Sequence, residues 1–421
     1  MSVVGRPRGT AVLEQVRPGR RRRLPLVLIG AAGAILLLAV VRVLSGADDI
    51  DSSGSLSAAA ALSVPIGMAG LAGLWAERSG VVNIGLEGMM ILGTWGAGWA
   101  GYQWGPWAGV LVAVGCGLLG GLLHALLTVT FGVDHIISGV AINILGLGAT
   151  QYLADIAFVG KPGGSSTQSP SVGELPALSL PGASTFLGGV EGRTWFFVSD
   201  LAGVLRAVTV NVSILTVIAV ALVVGSYVVL WRTAFGLRLR SCGENPTAAE
   251  SLGVNVLRYK YAAVAASGAL AGFGGAFLAI VASSAYREGQ TGGRGFIGLA
   301  AMIFGNWRPG GLAAGAGLFG YTDALQLRRG GDSIHALLLL VALLLAGFAA
   351  YLLVRRRRTS ALLSVVAAVG FLAWFLATDV VPDDFANLTP YVTTLLVLAL
   401  ASQRLRMPAA DGQVYRRGQG G

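Results

Sequence analysis

Long apolar runs separated by short polar segments make up most of the chain. A membrane-crossing helix needs about 20 apolar residues, and a shorter run is enough where the helix is broken or buried in protein. The pattern therefore predicts an all-α polytopic transmembrane helical bundle of about 10–12 spans, some of them short or broken. The candidate spans are residues 24–45, 56–76, 84–101, 106–131, 136–158, 209–231, 259–285, 295–306, 310–327, 333–353, 360–378 and 388–403.

The composition agrees with a chain that faces lipid. Only 12% of the residues are charged and 54% are hydrophobic, too few charges to cover the surface of a soluble protein of 421 residues. The 63 glycines suit membrane helices whose backbones approach closely. Two cysteines and three scattered histidines provide neither a disulfide framework nor a set of metal ligands, so we expect no metal site.

The positive charges predict an orientation. With a cytoplasmic N-terminus, most of the 30 Lys and Arg residues fall on the inner side, including the four consecutive arginines at 355–358. A single span over 295–327 would put that run outside, so two spans are expected there. We therefore expect a multi-pass membrane protein with both termini in the cytoplasm. The net charge of +10 then reflects topology and not nucleic-acid binding.

The same pattern divides the chain into segments. We expect the two polar, basic tails to be disordered. The outer loop is either a docking surface for an external protein or a flexible insert. The segments are a basic cytoplasmic tail (1–23), a membrane domain (24–353) with an extracytoplasmic loop (159–208) and a cytoplasmic loop (232–258), additional C-terminal spans (354–403) and a second cytoplasmic tail (404–421).

Residues 77–90 interrupt two apolar runs with charges and glycines. Gly80, Gly85 and Gly88 weaken a continuous helix, and transporters place substrate-facing polar groups in such unwound segments. Asn83 and Glu87 are therefore candidates for a translocation path. Because an acid is costly in the apolar region, Glu87 either faces substrate or makes a structural hydrogen bond to a neighbouring backbone.

Two further polar residues lie inside an apolar run. Asn143 and Gln151 are eight positions apart, which puts them close to the same face of a helix. Together they are candidates for lining a pathway. Singly, such a residue more often makes a hydrogen bond to a neighbouring helix.

A polar insert at 232–253 separates two long apolar runs. Asn245 or Thr247 can cap a short helix, Pro246 suits its first turn, and Gly253 suits its end. We expect a compact contact face formed by Ala248, Ala249 and Leu252. Side chains that can donate or accept hydrogen bonds in a partner's groove are Arg238, Arg240, Glu244 and Glu250.

Four blocks of the chain resemble permeases of bacterial ABC importers, in the superfamily of ribose, branched-chain and nucleoside permeases. The likeness runs over about residues 56–350, and the outer loop, the N-terminal tail and residues 355–421 exceed the expected core. The blocks are 77–90; 136–143; the insert, at Phe235, Gly236, Leu237, Arg238, Gly243, Glu244, Asn245, Pro246, Ala249 and Gly253; and 293–310, which is similar to the nucleoside-type branch.

The resemblance implies a permease subunit that forms the translocation path for nucleosides and performs no chemistry itself. The insert would dock on a separate ATPase that binds ATP and Mg²⁺, since this chain contains no G-x-x-x-x-G-K-[ST] motif of its own. A second permease subunit, in a homodimer or a heterodimer, and an extracytoplasmic substrate-binding lipoprotein are the other implied partners, within a lipid bilayer. A simple-sugar substrate is the main alternative.

Other classes of function fit the sequence less well. An ion-driven secondary transporter would need an inverted repeat and paired intramembrane acids, and it would leave the insert unexplained. A membrane enzyme would need a clustered nucleophile, base or metal set. The glycines at 315, 317 and 320 match the dinucleotide-binding spacing, but they lie in a predicted membrane helix and indicate close helix packing.

Overall fold

The computed structural model describes residues 23–193, 195–382, 405–416 and 418, and in this part of the chain nearly all regular structure is helical. One pair of two-residue antiparallel strands, β1 (Ala177–Leu178) and β2 (Val212–Ser213), accompanies the helices. The helices are α1 (Arg23–Ser45), α2 (Ser53–Arg78), α3 (Leu86–Trp104), α4 (Pro106–Ala125), α5 (His135–Phe158), α6 (Ala183–Glu191), α7 (Val198–Thr209), α8 (Ile214–Arg232), α9 (Ala234–Glu244), α10 (Pro246–Ser251), α11 (Val256–Phe277), α12 (Arg294–Phe304), α13 (Pro309–Val354) and α14 (Arg358–Ala377).

The predicted all-α membrane bundle is confirmed. Among the described residues, seven helical stretches are long and apolar enough to cross a bilayer, and α12 and the end of α1 are shorter apolar helices. Helices α4 and α11 each continue into a π-helical turn, at Leu126–Thr130 and Leu278–Ala282. The seven stretches are Ser53–Arg78, Pro106–Thr130, His135–Phe158, Ile214–Arg232, Val256–Ala282, Ser333–Val354 and Arg358–Ala377.

Glycine brings the central helices into backbone contact. Helices α4 and α11 cross where Gly117 faces Gly268 and where Gly272 faces the carbonyl of Ala113. A Cβ atom on any of these glycines would collide with the backbone of the opposite helix. In a bilayer, where apolar burial does not drive helices together, such close approach is a main source of association. The expectation drawn from the glycine content is met at this crossing.

The expected separation of spans 310–327 and 333–353 is wrong. Both belong to the continuous 46-residue helix α13. At 1.5 Å per residue this helix is about 70 Å long, more than twice the thickness of the hydrocarbon core. The two glycines at 330 and 331 cost about 1 kcal/mol each in a helix, and the backbone hydrogen bonds and the packing of α13 on α2 and α14 outweigh that cost.

The loop at 159–208, named the outer loop for its expected side, carries α6 and most of α7, and a hydrogen bond and ion pairs hold these helices against α1 and the start of α2. Glu191 accepts a hydrogen bond from the Ser53 amide at 2.8 Å and pairs with Arg206, also at 2.8 Å. Arg42 of α1 pairs with Asp200 of α7 at 2.8 Å. The expected last span, 388–403, and the N-terminal tail up to residue 22 lie outside the described residues.

Candidate functional site

Two short helices form the polar insert. Thr233 caps α9 by accepting a hydrogen bond from the Gly236 amide, and Asn245 caps α10 by accepting one from the Ala248 amide at 3.0 Å. Pro246 occupies the first turn of α10. Gly253 follows the helix with φ of +79°, in the left-handed region that favours glycine. The predicted cap, first turn and terminating glycine are all present.

The expected contact face of α10 is divided between surface and interior. Ala248 is exposed and Leu252 is 85% exposed, whereas Ala249 is buried in a cluster with Cys242 and Val256. Positions 248 and 252 share a helical face, and position 249 lies about 100° away from 248. Ala249 therefore anchors α10 to the bundle, and Ala248 and Leu252 remain available to a partner.

The charged residues of the insert also differ in availability. Arg238 is exposed, but Arg240 donates to the Leu230 carbonyl at 2.9 Å and lies over the Trp231 ring. Glu244 is exposed and approaches Arg78 at 3.9 Å. Glu250 is half-buried.

A polar groove of about 520 Å³ runs beside α10. Two arginines and two aromatic rings line it, so it offers both cationic and apolar contacts to a partner. Its lining residues are Phe235, Arg238, Leu252, Gly253, Val254, Asn255, Arg258, Tyr259 and Ala262.

The insert rests directly on the end of α2. Gly243, which is buried, packs on the Arg78 carbonyl so closely that any side chain would collide with it. Arg78 donates two hydrogen bonds to the Trp307 carbonyl, at 3.0 and 2.7 Å, and the Trp307 indole donates to Glu77 at 2.5 Å. The insert is thus connected to the segment in which the sequence predicts a broken helix.

The predicted break is confirmed, since α2 ends at Arg78 and α3 begins at Leu86. Asn83 lies fully buried in this break. Its amide donates to the Ser267 hydroxyl of α11 at 2.9 Å and accepts a hydrogen bond from the Gly85 amide at 3.1 Å.

Glu87 and Asn143 fix the start of α3 to its neighbours. The Glu87 carboxylate accepts hydrogen bonds from the Gly293 and Gly295 amides, at 2.9 and 2.7 Å, so it caps the positive N-terminal end of α12. Asn143 of α5 accepts from the Gly88 amide at 2.7 Å and donates to the Ile84 carbonyl at 3.1 Å. Both residues make the structural bonds that the sequence allowed as one of two interpretations.

The structure brings three of the four candidate path residues together. Asn83, Glu87 and Asn143 surround the break, whereas Gln151 is exposed, about 12 Å farther along α5, and bonds to Glu288. Sequence reasoning missed His124, whose buried ring bonds to Ser138 and to the Val82 carbonyl of the break. A lone histidine in an apolar run gives no signal of such distant partners.

The expectation of a disordered C-terminal tail is wrong for residues 405–416. These residues lie against the insert and the break, and the Ala410 amide donates to the Gly243 carbonyl at 2.9 Å. The polar, basic composition of the tail does not predict this contact, because the surface that receives the tail is formed by elements distant in the sequence. The Asp411-Gly412 pair, a frequent turn signal, is the one local hint.

Known proteins similar to this chain are permeases. The chain is 35% identical to the guanosine ABC transporter permease protein NupQ of Bacillus subtilis (62% of this chain, 78% of the relative). It is 32% identical to the nucleoside ABC transporter permease protein NupC of Lactococcus lactis (84% and 93%). It is also 31% identical to the putative glucose ABC transporter permease protein TsgC13 of Haloferax volcanii (87% and 98%).

No solved structure matches the chain significantly. The profile of one family covers residues 55–347, which include the break, the insert and the block at 293–310. The chain therefore belongs to the family described as the branched-chain amino acid transport system / permease component.

Proposed function

We propose that this chain forms the membrane path for nucleosides in an ATP-binding-cassette importer and is driven by a separate ATPase docked on α10. The exposed face of α10, with Ala248 and the 85% exposed Leu252, is the observation that carries the proposal. Among the described residues Leu252 is the most exposed large apolar side chain, and it lies with Ala248 beside a groove that offers two arginines and two aromatic rings to a partner.

The proposed ATPase partner would also supply the energy for transport. The chain contains no P-loop motif, so ATP and Mg²⁺ would bind in the partner, and closure of two ATPase subunits would move α10. The positive charges favour an orientation with α10 and both termini in the cytoplasm of a bacterial cell. The outer loop would face a substrate-binding lipoprotein, and a second permease subunit would complete the membrane core.

The substrate class rests on the relatives. Two of them are named for guanosine or nucleosides, and the block at 293–310 is similar to the nucleoside-type branch. The permease named for glucose covers as much of this chain, so a simple sugar is the second candidate. Uptake of labelled guanosine and of labelled glucose by the reconstituted importer separates the two, with guanosine the expected substrate.

Site-directed crosslinking tests the docking. In a variant that lacks Cys116 and Cys242, a cysteine at Ala248 is expected to capture the ATPase subunit, because this position faces outward on α10. A cysteine at Ser184, which is exposed on α6 in the outer loop, is the matched control and should capture none. Capture at Ser184 with none at Ala248 would refute the proposed docking.

A further inference from the structure

Residues 405–416, here named the C-terminal peptide, are held to the end of α9 by hydrogen bonds from two backbone amides. The Ala410 amide donates to the Gly243 carbonyl at 2.9 Å, and the Ala409 amide donates to the Glu244 carboxylate at 3.3 Å. A backbone bond to the last turn of a helix satisfies a carbonyl that has no partner within that helix. The contact is therefore a specific attachment to the insert.

The same peptide also contacts the break between α2 and α3. The Ala410 carbonyl lies against Gly80, and Gly412 lies beside Val82. The Asp411 carboxylate points inward beside Glu77 of α2, and solvent does not reach either of its oxygens. Burying a carboxyl group is costly, so this position is held by the surrounding packing.

Two further contacts anchor the ends of the peptide. At its start, the Arg406 amide donates to the Asn306 side chain, in the turn after α12, at 2.7 Å. Toward its end, the Tyr415 ring packs into the cluster of Cys242, Ala249 and Val256 that supports α10. One short peptide thus joins the docking helix, the break and the turn after α12.

We propose that the C-terminal peptide is a clasp that transmits movement of α10 to the break between α2 and α3. This inference rests on the proposed function, since it assigns the peptide a part in coupling the ATPase to the transport path. Its positioning residues are Ala409, Ala410, Asp411 and Tyr415.

Mechanical reasons favour this assignment. Helix α10 has only six residues, too few to be stable or stiff alone, so it moves its surroundings only through what is packed behind it. The clasp adds Tyr415 to the packing that Cys242 and Val256 provide behind α10, and it continues to the break that holds Asn83. Coupling between separate sites requires such a contiguous set of packed or hydrogen-bonded groups.

The position of the clasp also argues against an inhibitory role. It packs on the buried side of α10, at Ala249, and leaves Ala248 and Leu252 exposed. A segment that blocked the ATPase would cover those two residues. The clasp therefore supports the docking helix without occupying its outer face.

Truncation of the full chain in the complete importer tests the clasp. One variant lacks 405–421, and the matched control lacks only 417–421 and keeps the clasp. Each is reconstituted in proteoliposomes with its ATPase and binding protein. Three quantities are measured: the amount of ATPase retained, the rate of ATP hydrolysis and the rate of substrate uptake. The substrate is guanosine or glucose, whichever the full-length complex transports. We expect the variant lacking 405–421 to retain the ATPase and to transport about tenfold less substrate per ATP hydrolysed.

The other outcomes are equally decisive. An unchanged ratio of transport to hydrolysis refutes the clasp and leaves the proposed function intact. Parallel loss of ATPase binding and transport also refutes it, because the peptide would then serve docking alone. Failure of the full-length chain itself to retain the ATPase refutes the proposed function instead.

A point substitution covers the case in which the truncated chain does not fold. Tyr415→Ala removes the ring from the cluster behind α10, and Arg416→Ala, at the neighbouring exposed position, is its control. We expect Tyr415→Ala to lower the transport-to-hydrolysis ratio and Arg416→Ala to leave it unchanged. Equal ratios for the two variants would overturn the proposal.

Discussion

At the scale of single residues, Glu87 holds the start of α12 through two backbone amides that lie more than 200 positions away in the sequence. The sequence identifies Glu87 as an acid that is costly in an apolar region, but it does not indicate these partners. The cap at Asn245 and the left-handed Gly253, in contrast, follow from neighbouring residues, so propensity alone predicts them.

Substitution of Glu87 tests its role as the cap of α12. Glu87→Gln removes the negative charge and one of two acceptors at the N-terminus of α12, which should lower the free energy of unfolding by about 1–2 kcal/mol. The thermal unfolding midpoint of the purified protein in detergent should fall accordingly. Glu174→Gln, at an exposed position of the outer loop, should leave the midpoint unchanged. Equal midpoints for both variants would show that Glu87 does not stabilise this helix end.

The clasp should respond to pH through Asp411. Burial raises the pKa of its carboxyl group from 3.8 to about 7, with Glu77 and Arg78 of α2 and Lys260 of α11 around it. Because the docked state favours the protonated acid, docking is strongest below about pH 4 and weakens as the pH rises from about 4 to about 7.

Hydrogen exchange of residues 405–416, corrected for the intrinsic rate, measures this docking directly. Protection should fall between about pH 4 and pH 7, and Asp411→Asn, which stays uncharged, should weaken this dependence. Protection that rises with pH in the unmodified chain would contradict the assignment.

At the scale of elements, strong sequence patterns predicted helices and breaks correctly, whereas features that depend on tertiary packing were missed. The break at 79–85 and the short helix α10 follow from glycines, from capping residues and from the interruption of apolar runs, whereas α9 was not predicted as a separate helix. The continuity of α13 was missed, because adjacent glycines lower helix propensity without deciding the outcome against tertiary packing. The docked clasp was missed because its binding surface exists only after the bundle has folded.

The contact between α9 and the end of α2 yields a prediction at this scale. Gly243→Ala should favour the helix by about 1 kcal/mol through propensity alone, yet its Cβ would collide with the Arg78 carbonyl. We expect a lower thermal midpoint and reduced uptake by the reconstituted importer. Gly225→Ala in α8, where nothing lies within 4 Å of the new Cβ, gains the same propensity without a collision, so it should not lower the thermal midpoint or the uptake. A fully active Gly243→Ala variant would show that this contact is dispensable.

At the scale of the whole molecule, the amino-acid composition predicts a membrane protein but does not predict the subunits with which it assembles. So few charges in 421 residues require lipid, and the seven long apolar helices among the described residues agree. The resemblance of the insert implies an ATPase partner, but no composition or periodicity predicts the surface that would receive it. The exposed face of α10 and the groove beside it, to which we assign this docking, are formed by several elements.

The central claim is that a separate ATPase drives transport through this chain. The most direct measurement is uptake of labelled guanosine and of labelled glucose into proteoliposomes holding the assembled importer, with and without ATP and with ion gradients collapsed by ionophores. The account predicts uptake of one of these substrates that requires ATP and the ATPase and survives loss of the gradients. Uptake that persists without the ATPase and stops when an ion gradient collapses would contradict it.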